Sequence, residues 1–311
     1  MSAMRMMAGA SLLVLGLTVA ACGGGGVDST PTPTPTETPT ATPTGPVEPY
    51  LTVAEAFAAP SNKIFNSAGV LWSKTGSADP TGYESYVFGS KLLIGYNETT
   101  DTYKVTPSSQ TAVEFPIGSA TPGTTSSFTK TASGVTDTLN ITIPQVGGVP
   151  LSYTMLFDFT RSTSSTGKVE SWRSAGGIIT QVNDMPRTGT GTYTMMVDGT
   201  ATRDGDSKTY LLGGQSSGTF SANFAEGKID TTLALKGEAA GGATSDFGTA
   251  TGTGTFNVAS PVFAGTLTGT NSAAGKFSGA FFGPQAGEVG YGWYFTGSDF
   301  DAQGVAAGKK D

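Results

Sequence analysis

The chain has 311 residues, a formal net charge of −7, one cysteine and no histidine. The lack of imidazole excludes Ser-His-Asp and Cys-His catalysis and histidine-ligated zinc, and the acidic balance gives no electrostatic reason to bind nucleic acid. With 45 glycines and only 13% charged residues, the composition favours long antiparallel strands joined by glycine-rich turns.

The first 21 residues predict a lipoprotein signal peptide. Arg5 precedes an apolar run, residues 11–20, that is too short to cross a membrane as a mature helix. The run Val19-Ala20-Ala21-Cys22 resembles the bacterial lipobox. In that motif the cysteine receives acyl chains such as palmitate and becomes the mature N-terminus, so Cys22 is the predicted lipid-attachment site. The alternative is a secreted protein cleaved near an Ala-x-Ala site, with a free thiol.

Residues 22–49 predict a tether. Four glycines follow Cys22, and proline then alternates with threonine between residues 31 and 44, a composition that offers no apolar core. As polyproline II the segment would reach on the order of 80 Å. It serves either as a passive spacer or as a spacer adapted to surface display.

Residues 50–187 predict a β-rich domain. Thr52 and Glu55 have capping-box spacing and predict one short helix that ends before Pro60. Turn residues then separate runs of strand length. The predicted strands are Val70–Ser73, Tyr83–Phe88, Lys91–Tyr96, Thr102–Thr106, Thr111–Phe115, Thr138–Ile143, Ser152–Thr160 and Lys168–Trp172.

Residues 188–311 alternate apolar and polar positions more regularly and predict an eight-stranded antiparallel β-barrel. Large aromatics alternate with glycine on the same face, as in residues 277–281, which suits the narrow interior of a small barrel. The predicted strands are Gly189–Val197, Ser216–Ala225, Lys228–Lys236, Gly252–Val258, Val262–Gly269, Gly275–Gly283, Glu288–Thr296 and Ala302–Gly308. Short strands and a lipid anchor argue against a membrane-spanning barrel.

Residues 275–290, GKFSGAFFGPQAGEVG, resemble the closing motif of the barrel domain of transferrin-binding protein B and related surface lipoproteins, G-x-F-x-G-x-F-F/Y-G-P-x-A-x-E-x-G. Weaker similarity extends to residues 185–193 and 304–310. The resemblance implies an all-β fold in which the 50–187 domain is a handle that packs beside the barrel. The motif residues that it singles out, with a mainly structural role, are Gly279, Phe281, Gly283, Pro284, Ala286, Glu288 and Gly290.

Local chemistry also predicts a structural role for the motif. Gly283 permits an unusual turn, Pro284 fixes the next dihedral angle, and Glu288 is expected to cap amides near the turn. The aromatic side chains of the motif and the following strand predict barrel core, although a binding surface is the alternative. These residues are Phe281, Phe282, Tyr291, Trp293, Tyr294 and Phe295.

Cofactor and metal chemistry find little support in the sequence. Tyr291 or Tyr294 could serve as an axial haem ligand in the absence of histidine. Asp198, Asp204 and Asp206 lack the spacing and the glutamate of an EF-hand loop and predict a hairpin turn instead of a calcium site. The carboxylates of Asp299 and Asp301 lie in a polar loop rather than across a cleft, so no catalytic residues, metal or cofactor are predicted.

The resemblance implies the function of this family of Gram-negative lipoproteins, which bind host proteins such as transferrin or complement regulators, or in some cases haem. We expect an outer-membrane, surface-exposed lipoprotein that binds a protein or nutrient ligand without catalysis. Iron acquisition and delivery to an outer-membrane transporter are the leading hypothesis. The membrane is contacted through the N-terminal lipid, nucleic acid is no partner, and the chain is expected to be a monomer. The alternative is a structural or adhesive envelope lipoprotein without ligand handover.

Overall fold

The computed structural model describes residues 46–311 except 207, 258, 271 and 272. The protein is 61% strand and 5% helix. The predicted capping box is confirmed: Thr52 is the N-cap of α1 (Val53–Ala58), its hydroxyl accepts a hydrogen bond from the Glu55 N–H, and the Glu55 carboxylate accepts one from the Thr52 N–H. Within the described part of the chain, no helix has the length and apolarity needed to span a membrane.

The first sheet, which we call the handle sheet, has nine strands in the antiparallel order β5-β4-β3-β1-β11-β10-β7-β6, with β2 paired to β1. The bounds are β1 (Lys63–Thr75), β2 (Thr81–Tyr86), β3 (Leu92–Asn97), β4 (Thr102–Pro107), β5 (Val113–Pro116), β6 (Ser126–Ala132), β7 (Val135–Thr142), β8 (Gln145–Val146), β9 (Val149–Pro150), β10 (Thr154–Thr163) and β11 (Lys168–Gly177). Strands β8 and β9 form a separate hairpin. Each of the eight strands predicted for this region overlaps one of these. The sequence analysis missed β6 because Phe128 is its one large apolar residue.

The second sheet closes on itself, and we call it the barrel. Its bounds are β12 (Thr190–Arg203), β13 (Thr209–Leu211), β14 (Ser217–Asn223), β15 (Lys228–Ala239), β16 (Thr244–Phe256), β17 (Val262–Thr268), β18 (Ala274–Phe282), β19 (Glu288–Thr296) and β20 (Phe300–Lys310). Strand β20 pairs with β12 from Tyr193↔Lys310 to Arg203↔Phe300, which completes a ring of eight strands. The predicted all-β fold with an eight-stranded barrel is confirmed. The short β13, which fills the gap between β12 and β15, was not predicted.

Aromatic side chains fill the barrel. Phe281 is fully buried, and its ring lies within 6.3 Å, centroid to centroid, of five other rings. These rings belong to Tyr193, Phe220, Phe224, Phe256 and Phe263. Phe277 has room because the facing positions are Gly254 and Gly265, where any Cβ would collide with its ring. The predicted alternation of large and small residues therefore fills the interior of the barrel.

The handle sheet curls around its own core, which is separate from the barrel core. Helix α1 contributes Phe57, whose ring packs near those of Phe65, Tyr96 and Tyr103. Trp172 and Phe159 lie deeper, with 5.4 Å between ring centroids. The handle sheet ends at Gly177 and the barrel begins at Thr190, while all described residues belong to one compact unit, Thr42–Asp311.

We expect Phe281→Ala to destabilise the protein by about 3–5 kcal/mol, because it removes a ring from the centre of a close-packed aromatic core. Urea denaturation followed by tryptophan fluorescence measures this loss. The control is Leu211→Ala on β13, a side chain that is 62% exposed, for which the expected change is within about 0.5 kcal/mol. Equal effects of the two substitutions would contradict the packing described here.

Candidate functional site

The motif residues lie where the handle sheet and the barrel meet. The end of β18, a short 3-10 turn at Pro284–Ala286 and the start of β19 carry them. Thr180, in the segment between the two sheets, donates its N–H to the Phe281 carbonyl at 3.0 Å. The Gly283 N–H in turn donates to the Ile178 carbonyl at 2.8 Å. The closing hairpin of the barrel is therefore hydrogen-bonded to the chain that leaves the handle sheet.

Gly283 has the unusual turn conformation that the sequence analysis predicted. Its φ of +69° is strained for an L-residue with a side chain. The position is also closed sterically, because an added Cβ would collide with the ring of Tyr153 from the handle region. Gly283 therefore serves both the turn and the contact between the two sheets.

The Glu288 carboxylate joins the two sheets, because the backbone amides that it caps are those of Ser152 and of Tyr153, whose ring contacts Gly283 of the turn. Its oxygens accept hydrogen bonds from the Ser152 N–H at 2.7 Å, the Tyr153 N–H at 3.0 Å and the Thr154 hydroxyl at 2.9 Å. The residue is 5% exposed. Burial raises the pKa of the Glu288 carboxyl above its usual value, and the hydrogen bonds from Ser152, Thr154 and Tyr153 offset only part of this rise.

The turn between β18 and β19 holds two residues in the left-handed region. Gln285 and Ala286 both have a φ of +52°. Asp184, which is buried, accepts hydrogen bonds from the backbone N–H of Gln285 at 2.8 Å and from its side-chain amide. The Ala286 carbonyl accepts one from the Tyr193 hydroxyl at 2.6 Å. Because non-glycine residues pay a conformational cost in this region, these contacts keep the turn in place.

Small residues allow the handle sheet and the barrel to approach closely. At Gly290 an added Cβ would lie 2.7 Å from the Ala175 Cβ of β11. At Gly292 it would meet the backbone of Gly69 in β1. Because glycine has no side chain, the backbones of the two sheets can touch at the junction. The apolar cluster beside the junction includes residues from both sheets.

Two aromatic pairs complete the junction. Tyr83 of β2 stacks on Tyr294 of β19, with ring centroids 5.6 Å apart and planes inclined by 13°. Phe88 lies 6.3 Å from Phe282. Burial raises the pKa of the Tyr83 hydroxyl, and the nearby carboxylates of Asp301 and Asp79 add to the rise. Tyr83 is therefore a neutral packing residue at physiological pH.

The structure places the remaining motif residues inside the barrel or on its turn. Phe281 and Ala286 belong to the barrel core. At Gly279 an added Cβ would press on Tyr291 and Phe263, so this position lies between packed strands. Pro284 is exposed and begins the 3-10 turn.

The aromatic side chains considered above form core and junction rather than a binding surface. Phe281, Tyr291, Trp293 and Phe295 belong to the barrel core, and Phe282 packs at the junction. Tyr291 is fully buried, and its hydroxyl lies 2.9 Å from the Thr231 hydroxyl. A buried, hydrogen-bonded phenol cannot reach an iron in solution, so the hypothesis that Tyr291 ligates haem is wrong. The ring of Tyr294 is stacked on the ring of Tyr83 at the junction.

The aspartates are divided between a strand and turns. Asp198 lies within β12, so its assignment to a hairpin turn was wrong, whereas Asp204 and Asp206 lie between β12 and β13. Burial raises the pKa of Asp301, and Asp204 and Asp79 add to this effect. Among residues 46–311, apart from the four undescribed positions, no three His, Cys, Asp or Glu side chains are placed to hold a metal ion.

Cys22, the signal peptide and most of the tether lie outside the described residues. Sequence analysis also missed the residues that contact the motif from the other sheet, chiefly Asp184 and Thr154. Each is more than 100 positions from its partner. A single polar residue carries no local signal for a partner so distant in the sequence.

No protein-family model matches the sequence, and no curated protein is similar enough in sequence to count as a relative. Solved structures are similar to the chain. For isotype 1 transferrin-binding protein B from serogroup B Neisseria meningitidis, the identity is 16% and the TM-score is 0.43, over 79% of this chain and 43% of that one. For HpuA from Kingella denitrificans in complex with human haemoglobin, the identity is 16% and the TM-score 0.39, over 81% and 87% of the two chains.

A third similar structure is the N-lobe of lactoferrin-binding protein B from Moraxella bovis, with 12% identity and a TM-score of 0.33 over 80% of this chain and 98% of that one. Transferrin-binding protein B is also the protein whose barrel motif residues 275–290 resemble. The chain spans less than half the length of the first two transferrin-binding protein B chains, 43% and 47%. With TM-scores below 0.5, the overlays establish neither a shared ligand nor a shared activity.

Glu288→Gln is expected to change how stability depends on pH. Because the folded-state pKa of Glu288 is raised, the folded protein holds this proton more tightly than the unfolded chain. This contribution is fully present below the ordinary glutamate pKa of 4.5 and is lost as pH rises through the folded-state value. Glutamine does not titrate, so the Glu288→Gln variant lacks this contribution to the pH dependence of stability.

Thermal unfolding of both proteins between pH 4 and pH 8 tests this prediction. We expect the melting temperature of the wild type, relative to that of Glu288→Gln, to be highest at pH 4 and to fall towards neutral pH. Parallel pH profiles for the two proteins would contradict the assignment of Glu288 as a buried titrating group.

We expect Gly290→Leu to force the handle sheet off the barrel, because the new side chain has no space beside Ala175. Overpacking of this kind costs about 1–3 kcal/mol. Limited proteolysis should then cut the segment 178–189 between the two sheets in the variant and leave it intact in the wild type. Ala264→Leu, at an exposed position of β17, is the matched control and should leave the cleavage pattern unchanged.

Proposed function

We propose that this chain is an outer-membrane lipoprotein, anchored by acylated Cys22 and raised on the tether of residues 22–49, whose head binds a protein or nutrient ligand at the cell surface without catalysis. In this proposal residues 1–21 are removed as a signal peptide. The handle spans residues 50–187 and the barrel spans residues 188–311. The lipobox and the proline-threonine tether support the anchored arrangement.

One observation carries the proposal: residues 279–290 join the barrel to the handle sheet. Gly283, Glu288 and Gly290 each contact the handle region, and Phe281 fills the barrel. The motif therefore specifies a rigid handle-and-barrel head and leaves the exposed strands and loops available for a partner. A head of this kind on a lipid-anchored tether suits ligand presentation.

The interior of the barrel favours a protein ligand over a small one. Tyr291, Trp293 and Phe281 are each fully buried in the barrel core, so the space that other small barrels use for a ligand is filled by side chains here. Neighbouring structures include a transferrin-binding protein and a haemoglobin complex, and those ligands belong to those proteins. For this chain, we propose in addition that the bound ligand serves iron acquisition and is passed to an outer-membrane transporter.

A structural or adhesive role is the second candidate, and one observation favours it. Five threonines lie side by side across adjacent strands of the barrel, on its solvent face, in a row without charge. They are Thr194, Thr219, Thr232, Thr251 and Thr268. Such a polar, uncharged surface suits a stable, protease-resistant head with no ligand to hand over.

Proteinase K digestion of intact cells tests the proposed location. In cells with wild-type protein, we expect the head to be digested from outside while a periplasmic marker survives. Cys22→Ala should lose this pattern, because the chain is no longer acylated or held on the outer membrane. A head that is digested only after the outer membrane is permeabilised would refute surface exposure.

A further inference from the structure

The handle sheet, unlike the barrel, does not close. Strands β5 and β6 are its two ends and are not hydrogen-bonded to each other. They nevertheless face one another: the Phe115 and Phe128 rings lie 6.4 Å apart, and the Lys130 ammonium donates to the Glu114 carbonyl at 3.2 Å. We call the gap between β5 and β6 the seam. Each side of it presents a strand edge whose backbone lacks a strand partner.

The seam widens at one end into a cavity of about 320 Å³. Small apolar side chains form its two walls: Ala112 and Val113 where β5 begins, and Ala132 and Val135 where β6 ends and β7 begins. On β6 itself the four residues Thr129–Ala132 are all exposed. An extended chain could therefore reach the edge of β6 and place a small side chain in the cavity.

A buried ion pair fixes the inner wall of the cavity. The Arg161 guanidinium and the Asp137 carboxylate are joined by bonds of 2.7 Å and 3.0 Å, and both side chains are largely buried. Arg161 also donates to the Gln110 side chain at 2.9 Å and to the Thr111 carbonyl at 3.1 Å. These bonds hold the segment before β5 against β7 and β10. They also neutralise Arg161, which leaves another cation to face a ligand.

Lys130 supplies that cation. It lies on the same face of β6 as buried Phe128, yet its side chain is exposed at the mouth of the cavity. No carboxylate in the described part of the chain lies within ion-pair distance of its ammonium group. Its one hydrogen-bond acceptor is the Glu114 carbonyl across the seam. Lys130 is therefore an exposed cation beside an open strand edge, and the carboxylate opposite it on β7, that of Asp137, is bound to Arg161.

We propose that the seam binds an extended peptide segment that carries a carboxylate side chain. The segment pairs with the edge of β6, places a small apolar side chain in the cavity and sets its carboxylate on Lys130. Backbone hydrogen bonds supply affinity in this mode of recognition, and the side-chain contacts supply specificity. The inference rests on the proposed function, because it assigns a site to non-catalytic protein binding.

Edge protection is the competing explanation. Inward-pointing charges and proline are devices that prevent a strand edge from pairing with other chains, and Lys130 and Pro116 stand at these edges. If Lys130 acts only in this way, no peptide binds at the seam. Lys130→Ala would then expose the edge and cause self-association. The two explanations therefore predict different results for the same variant.

The test uses the processed, acylated chain solubilised in detergent and three fluorescein-labelled ten-residue peptides. Each peptide alternates threonine and valine and has a central glutamate, glutamine or lysine. Fluorescence anisotropy should show that the glutamate peptide binds about tenfold more tightly than the lysine peptide, the size of one charge-assisted contact. Lys130→Ala should abolish this preference, and Lys168→Ala, at an exposed lysine on β11, should retain it.

A further variant tests the cavity itself. Ala132→Trp fills the mouth of the seam from an exposed position and should weaken the binding of all three peptides. Unchanged circular dichroism and melting temperature in each variant establish that the fold is intact. Equal affinity of the three peptides, no binding at all, or self-association of Lys130→Ala without a change in peptide preference would overturn the proposal.

These outcomes are separate from those of the proteolysis experiment. If the head is digested on intact cells but binds no peptide, peptide binding at the seam is refuted and the proposal of a surface lipoprotein stands. If the head binds the glutamate peptide but is protected in intact cells, surface exposure is refuted and peptide binding at the seam stands.

Discussion

The Glu288 carboxylate connects the two halves of the molecule. It belongs to the first residue of β19 in the barrel and accepts three hydrogen bonds from Ser152, Tyr153 and Thr154 beside the handle sheet. A buried carboxylate is tolerated only where donors surround it, so its position dictates the local path of the handle chain. The glycines at 283 and 290 then have to be small because the two sheets meet there. The geometry of the junction follows from this contact.

The strands were predictable because their information is local. In β15 and β16, buried and exposed residues alternate almost without interruption, and this period alone identifies a strand with one face in a core. The three-residue β13 and the polar β6 carry too little of this pattern to be recognised.

The partners of the candidate site could not be predicted in the same way. Glu288 was expected to cap amides near the turn, but the sequence does not show which amides these are. The actual donors are 134–136 residues away in the sequence. The seam depends on how far the handle sheet curls, which no single strand encodes. The donors of Glu288 and the seam both depend on how elements distant in the sequence pack together, and the sequence of a single element does not show this.

Because β20 closes the barrel, the barrel cannot close during synthesis until β20 has been made. The outer faces of β1 and β11 bury Ala68, Val70 and Ala175, and they contact β18, β19 and β20. Those three strands are synthesised after β1 and β11. Until then the growing chain exposes an apolar face and an unclosed sheet, and contacts between residues so distant in sequence form slowly. The order of strands thus leaves the apolar outer faces of β1 and β11 uncovered until β18, β19 and β20 have been made.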